Sequence, residues 1–176
     1  FNKEKAVFIS GHFNNFELMA MQLENMGIDL AAIYRPLNNF FMNKKILNIR
    51  LNYICKKQIK KGKSGSRKMV DYLKKGTSVA LMIDQRLSEG KKVKFFSKLA
   101  STTTIPAQLA LKYECLVIPV YIERYNKHYF KMKINKPMKF TKDSSLEEIT
   151  EKLNNVLEKM IVQNPGQWIW THNRWK

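Results

Sequence analysis

Phe8-Ile9-Ser10-Gly11-His12-Phe13-Asn14-Asn15-Phe16-Glu17 decides how the rest of the chain is read. An apolar run, Ala6 to Ile9, stops at Ser10-Gly11. His12 follows at once, and Glu17 follows with four residues between. Phe16, Leu18, Met19, Met21, Leu23 and Met26 then recur at helical spacing. An apolar run, a glycine turn, polar residues and a 3.6-residue period spell a strand feeding a helix. Ligands of open α/β sheets bind outside the carboxyl ends of strands, which is where His12 falls.

Inside one helix, His12 and Glu17 would point about 140° apart, at roughly 100° per residue. They can meet only if His12 lies on the loop and Glu17 on the first turn. Gly11 supplies that break. Two readings fit the spacing. In one, His12 is a general base, neutral and proton-accepting near neutral pH, and Glu17 fixes its tautomer. In the other, Asn14-x-x-Glu17 is a capping box, Glu17 complements the helix dipole and His12 is a loop residue. No G-x-S-x-G surrounds Ser10, so direct attack by a substrate hydroxyl is favoured over a covalent enzyme intermediate.

Outward from this stretch, Lys5–Ser10 is the expected first strand and 13–26 the first helix, closed by Gly27. Residues 28–34 are a buried strand, 40–54 have helical spacing, and 61–66 read as a flexible loop. That loop holds the letters G-K-S, but it lacks the earlier glycine and the strand-before, helix-after context of a phosphate loop. A short helix (67–75), a buried strand (77–83) ending at Asp84-Gln85-Arg86, and a loop (87–103) with one V-K-F-F strand follow. A helix opens around Pro106 and runs to about Glu114. Strands at 115–123 and 129–134 form a hairpin, and Ser144 or Ser145 caps a helix over 146–163. This order predicts one α/β domain over residues 1–176, layered on a mainly parallel central sheet.

The chain has 176 residues, 44% hydrophobic, with 32 Lys plus Arg against 14 Asp plus Glu, a net charge of +18. It is long enough for a real core. The charge points to an anionic partner and does not choose between nucleic acid, membrane face and acidic protein. Between Asp29 and Asp71 no acidic residue occurs, while lysine and arginine are frequent. That is a solvated basic face, or a surface for anionic lipid or an acidic carrier. Each cation near an anionic bilayer contributes about 1 kcal/mol. Cys55 and Cys115 have no metal or redox spacing, and the three histidines, His12, His128 and His172, have no ligand spacing. No metal or other cofactor is expected. No apolar run in these residues reaches the ~20 residues of a membrane span, and the opening residues are not expected to be a signal peptide. Trp168, Trp170 and Trp175 read first as packing anchors and second as interfacial residues.

S-G-H-F-N-N-F-E resembles the S-G-H-F-G-N-W-E signature of the bacterial lipid A biosynthesis acyltransferases. Y-R-P-L-N-N (34–39), D-Q-R (84–86), F-F (95–96) and Q-W-I-W-T-H-N-R-W-K (167–176) resemble that family's later motifs in order. The resemblance implies a glycerolipid-acyltransferase-like fold. It implies transfer of a fatty acyl chain from acyl carrier protein to a hydroxyl of a lipid A precursor, Kdo2-lipid IVA in type. It makes His12 and Glu17 the catalytic pair, and Arg35, Arg50, Asp84, Gln85 and Arg174 candidates for binding the acceptor's phosphates and sugars. Phe95 and Phe96 would lie near the acyl-chain path. The implied location is the cytoplasmic face of the bacterial inner membrane. The family carries a hydrophobic anchor helix ahead of its histidine motif, so a chain beginning at Phe1 reads as part of a longer parent. Asn14 and Phe16 depart from the family's Gly and Trp. Asn14 is expected to narrow the space beside His12. An acyltransferase acting on another glycolipid, such as a mannoside, is the nearest alternative. A basic nucleic-acid-binding module is the next, although no nucleic-acid recognition motif appears and none is expected as a partner.

Overall fold

The structure is a computed structural model that describes residues 5–176. Its centre is β1 (Ala6–Ser10), in which every residue is buried. A strand buried on both faces reads as a continuous apolar run, as Ala-Val-Phe-Ile does here. The other sheet strands are β2 (Leu30–Tyr34), β3 (Lys57–Lys60), β4 (Ser78–Met82), β7 (Leu116–Tyr125) and β8 (Tyr129–Ile134). They lie in the order β3-β2-β4-β1-β7-β8, parallel throughout except for the antiparallel edge strand β8. A separate antiparallel hairpin joins β5 (Lys91–Phe95) to β6 (Lys98–Thr102). The mainly parallel α/β architecture expected from the sequence is the one observed.

β1 is the point where the order reverses. The chain leaves it for β2, β3 and β4 on one side and later returns to β7 on the other. Such a switch point opens a crevice at the carboxyl ends of the strands. Helix α1 (Glu17–Asn25) and a π-helical turn (Arg50–Ile54), which continues α2 (Phe40–Ile49), cover one face of the sheet. Helices α3 (Lys63–Lys74), α4 (Ile105–Tyr113) and α5 (Leu146–Gln163) pack together on the opposite side. Of the two serines expected to cap α5, Ser145 does so, and within a capping box: Ser145 accepts from the Glu148 amide, and Glu148 accepts from the Ser145 amide.

Three expectations change. Helix α1 starts four residues later than 13, because Phe13 is tied to Trp168 in an isolated antiparallel bridge. Asn14 therefore does not cap it. The N-cap is Phe16, without a side-chain bond. The stretch at 61–66 is not a free loop, since α3 begins at Lys63 and an unexpected strand, β3, precedes it. Gly65 lets α3 sit on that strand: a Cβ there would lie 1.9 Å from the Lys60 carbonyl oxygen. The loop expected over 87–103 is mostly the β5–β6 hairpin.

Gly65→Ala is expected to destabilise the fold by about 1–3 kcal/mol through overpacking. Urea unfolding of the variant beside the unmodified chain checks this. An unchanged midpoint would mean that α3 does not rest on β3.

Candidate active site

His12 leaves β1 one residue after Gly11, where space is short: a Cβ on Gly11 would meet Leu157 of α5 at 2.9 Å. The next residues are zipped to the carboxyl-terminal segment. Ile169 N–H donates to the His12 carbonyl at 3.0 Å, and Asn14 N–H donates to the Gln167 carbonyl at 2.8 Å. The loop carrying His12 thus has backbone partners although it lies outside the sheet.

Asp84 follows β4, the strand beside β1, and stands beneath His12. Its carboxylate is 2% exposed. The His12 ring Nδ1 lies 2.7 Å from Oδ1, and the His12 backbone N–H donates to Oδ2 at 2.8 Å. The indole N–H of Trp168 donates to Oδ2 at 2.9 Å. Burial pushes the Asp84 carboxyl up, but the hydrogen bonds and charge of His12, together with Trp168, bring it below the usual 3.8. An ionised Asp84 accepts from Nδ1–H, which leaves Nε2 as the ring's proton acceptor. The ring is 20% exposed and packs edge-to-face on Phe16 at 4.7 Å between centroids.

Glu17 does not reach His12 in this arrangement. Its carboxylate accepts from Arg50, with Nε at 3.1 Å and a second bond from Nη2. Arg50 also lies over the Tyr34 ring at 5.6 Å. The partner of the imidazole is therefore Asp84, where the sequence reading put Glu17. Asp84 in turn has no room for a sugar hydroxyl, because its oxygens are buried under His12 and Trp168. Arg174 is also misplaced as a phosphate ligand. It is fully buried, donates to the Ser101 carbonyl and Thr102 hydroxyl, and lies over Phe95 at 5.0 Å. Burial lowers its pKa to about 10, so it stays cationic at neutral pH, and its charge adds to the field at Asp84.

Arg35 and Gln85 are exposed. Arg35, Arg50, Glu17 and His12 all border one cavity of about 210 Å³. The cavity runs under α1 across the sheet, over Phe8, Ala80 and Ala32, which are neighbours in the strand register. Met19 and Leu23 of α1 and Ile54 of the π-helical turn close it from above. Phe95 and Phe96 are not among its lining residues. Phe95 is core, stacked on Trp175 at 5.6 Å. Asn14 does not narrow the cavity either: its side chain turns to Gln167 and Arg124. Its φ of +41° explains the residue type, since Asn after Gly is the commonest occupant of left-handed backbone.

A histidine backed by a buried carboxylate stands beside an apolar cavity at the switch point of a parallel sheet, the place where α/β proteins of this class bind ligands. The family model for bacterial lipid A biosynthesis acyltransferase matches residues 1–176, and the chain belongs to that family. Membership indicates an acyltransferase of lipid A biosynthesis. A comparison with curated proteins returned no match.

Asp84 gives this site an acid-sensitive contribution to stability. A carboxyl held below its unfolded pKa stabilises the fold above that value and loses this as pH falls through the folded one. The unmodified chain is expected to lose stability more steeply below about pH 4 than Asp84→Asn does. Urea midpoints measured across that range check the difference. Parallel curves for the two proteins would contradict an ionised Asp84.

Proposed function

We propose that this chain transfers a fatty acyl group from acyl carrier protein to a hydroxyl of a lipid A precursor, Kdo2-lipid IVA in type, at the cytoplasmic face of an anionic membrane. The observation that supports this most is the imidazole with Nδ1 held by buried Asp84 and Nε2 available at an apolar cavity. Nε2 takes the acceptor's hydroxyl proton as its oxygen bonds to the thioester carbonyl carbon. Asp84 stabilises the imidazolium that forms. The tetrahedral intermediate collapses, the C–S bond breaks, and the imidazolium proton passes to the leaving thiolate. Backbone N–H groups at the amino end of α1 are candidates to stabilise the oxyanion. No metal or other cofactor enters this scheme.

In this reading Asp84 takes the orienting role, and Glu17 fixes Arg50 at the cavity mouth. Arg50 and the exposed Arg35 then face the phosphates or sugars of the acceptor, and Gln85, exposed after β4, is a further candidate for them. The excess of lysine and arginine suits both an acidic carrier protein and an anionic lipid surface.

The experiment is acyl transfer from labelled acyl carrier protein to a tetra-acylated precursor, followed by mass. His12→Ala is expected to abolish transfer. Asp84→Asn is expected to lower kcat by on the order of 10²–10⁴, the scale seen when a triad carboxylate is neutralised. Glu17→Gln is expected to act mainly on KM. Full activity in Asp84→Asn, with Glu17→Gln as damaging as His12→Ala, would return the orienting role to Glu17.

The cavity floor generates a second expectation. Ala32 and Ala80 sit side by side on β2 and β4 and leave a trough for an alkyl chain. Ala80→Leu is expected to lower kcat/KM for the preferred acyl chain by about 10- to 200-fold, while shorter chains lose less. Competition between acyl carrier proteins loaded with different chain lengths measures this. An unchanged preference would place the acyl chain elsewhere.

A further inference from the structure

We infer that the amino-terminal tip of α2 is the element that docks this chain on an anionic lipid bilayer. This deepens the reading above and rests on its lipid acceptor for the choice of occupant. None of the ten residues of α2 is buried. Phe40 and Phe41 open the helix at 74% and 82% exposure, and Leu37 and Met42 beside them are also exposed. Large apolar side chains left in contact with water across one tip mark an interaction site rather than ordinary surface. The tip is shaped, since Asn39 accepts from the Met42 amide and Asn43 accepts from the Leu37 amide.

Charge selects the occupant. Lys44 and Lys45 stand one helical turn behind Phe40 and Phe41, and neither is in an ion pair among the described residues. Four residues of helix separate the aromatic level from the ammonium level by about 6 Å. Apolar side chains at the deeper level and cations at the shallower one repeat the order of a bilayer, hydrocarbon beneath phosphate. A duplex or a flat acidic protein surface has no such order in depth. The direction of docking also fits. β1, β2 and β4 are parallel, so His12 after β1, the Arg35–Asn39 connection after β2 and Asp84 after β4 share one edge of the sheet. Docking through α2 presents to the lipid surface the same edge that carries the His12–Asp84 pair.

The test is co-sedimentation of the chain with vesicles of phosphatidylethanolamine and phosphatidylglycerol, with phosphatidylcholine vesicles as control. Phe40→Ser with Phe41→Ser is expected to weaken binding by about tenfold or more, and Lys44→Glu with Lys45→Glu to do the same. Thermal midpoints should hardly move, because these side chains are mostly exposed. An environment-sensitive dye on Phe41→Cys should shift to the blue on anionic vesicles; Cys55 and Cys115 are buried and spared. Unchanged binding by either double variant, or no dye shift, overturns the inference. So does sedimentation showing that the phenylalanine pair holds two copies of the chain together while vesicle binding persists without it. Transfer to a detergent-dispersed acceptor separates the two claims. Vesicle docking through α2 without any transfer counts against the enzymatic reading alone, and intact transfer without docking counts against this inference alone.

Discussion

The buried carboxylate of Asp84 is the constraint on which the rest depends. A carboxylate removed from water is strongly unfavourable unless donors surround it. Here the donors are the His12 backbone, the His12 ring and the Trp168 indole. Each belongs to a segment that no regular element contains. Satisfying the carboxylate therefore fixes the loop after β1 and the carboxyl-terminal segment against β4 together. Removing one partner of a buried pair of this kind typically costs about 3–5 kcal/mol. The same bonds that stabilise the fold hold the imidazole with Nδ1 inward.

Around that pair the molecule has two kinds of surface. The sheet face under α1 is apolar and partly empty, because alanines rather than larger residues occupy β2 and β4 at the level of Phe8. The cavity mouth is ionic, with Glu17 and Arg50 bound to each other beside His12. An alkyl chain suits the first and a polar head group the second. Arg174 belongs to neither. Its cation supports the β6 backbone and the aromatic stack of Phe95 and Trp175 behind the site.

Much of the architecture is legible in sequence because its signals are local. Gly11 after an apolar run marks the end of β1, and Ser145 three residues before Glu148 marks the start of α5. Asn126 signals the β7–β8 turn, where it takes a positive φ. The β5–β6 turn is hidden because Phe96 and Ser97 hold the two positive-φ positions that glycine or asparagine normally announces. β3 is hidden because it is a basic edge strand whose one buried residue is Ile59. The partner of His12 was out of reach for a different reason. Glu17 is near in sequence, whereas Asp84 becomes near only when β4 inserts between β2 and β1. The available signal was a charged residue directly after a buried strand, and strand order is what converts it into a contact. Arg174 reads as a surface cation until the depth of its segment is known.

The central claim is that Asp84 holds His12 in the tautomer with its proton on Nδ1. Nitrogen-15 NMR of the imidazole tests it most directly, on histidine-labelled protein at about pH 8, where free imidazole is neutral. The account predicts a His12 Nδ1 with the shift of a protonated nitrogen and an Nε2 with that of a lone-pair nitrogen, collapsing toward the averaged values of free imidazole in Asp84→Asn. A His12 protonated on Nε2, or averaged between tautomers in the unmodified chain, would contradict it.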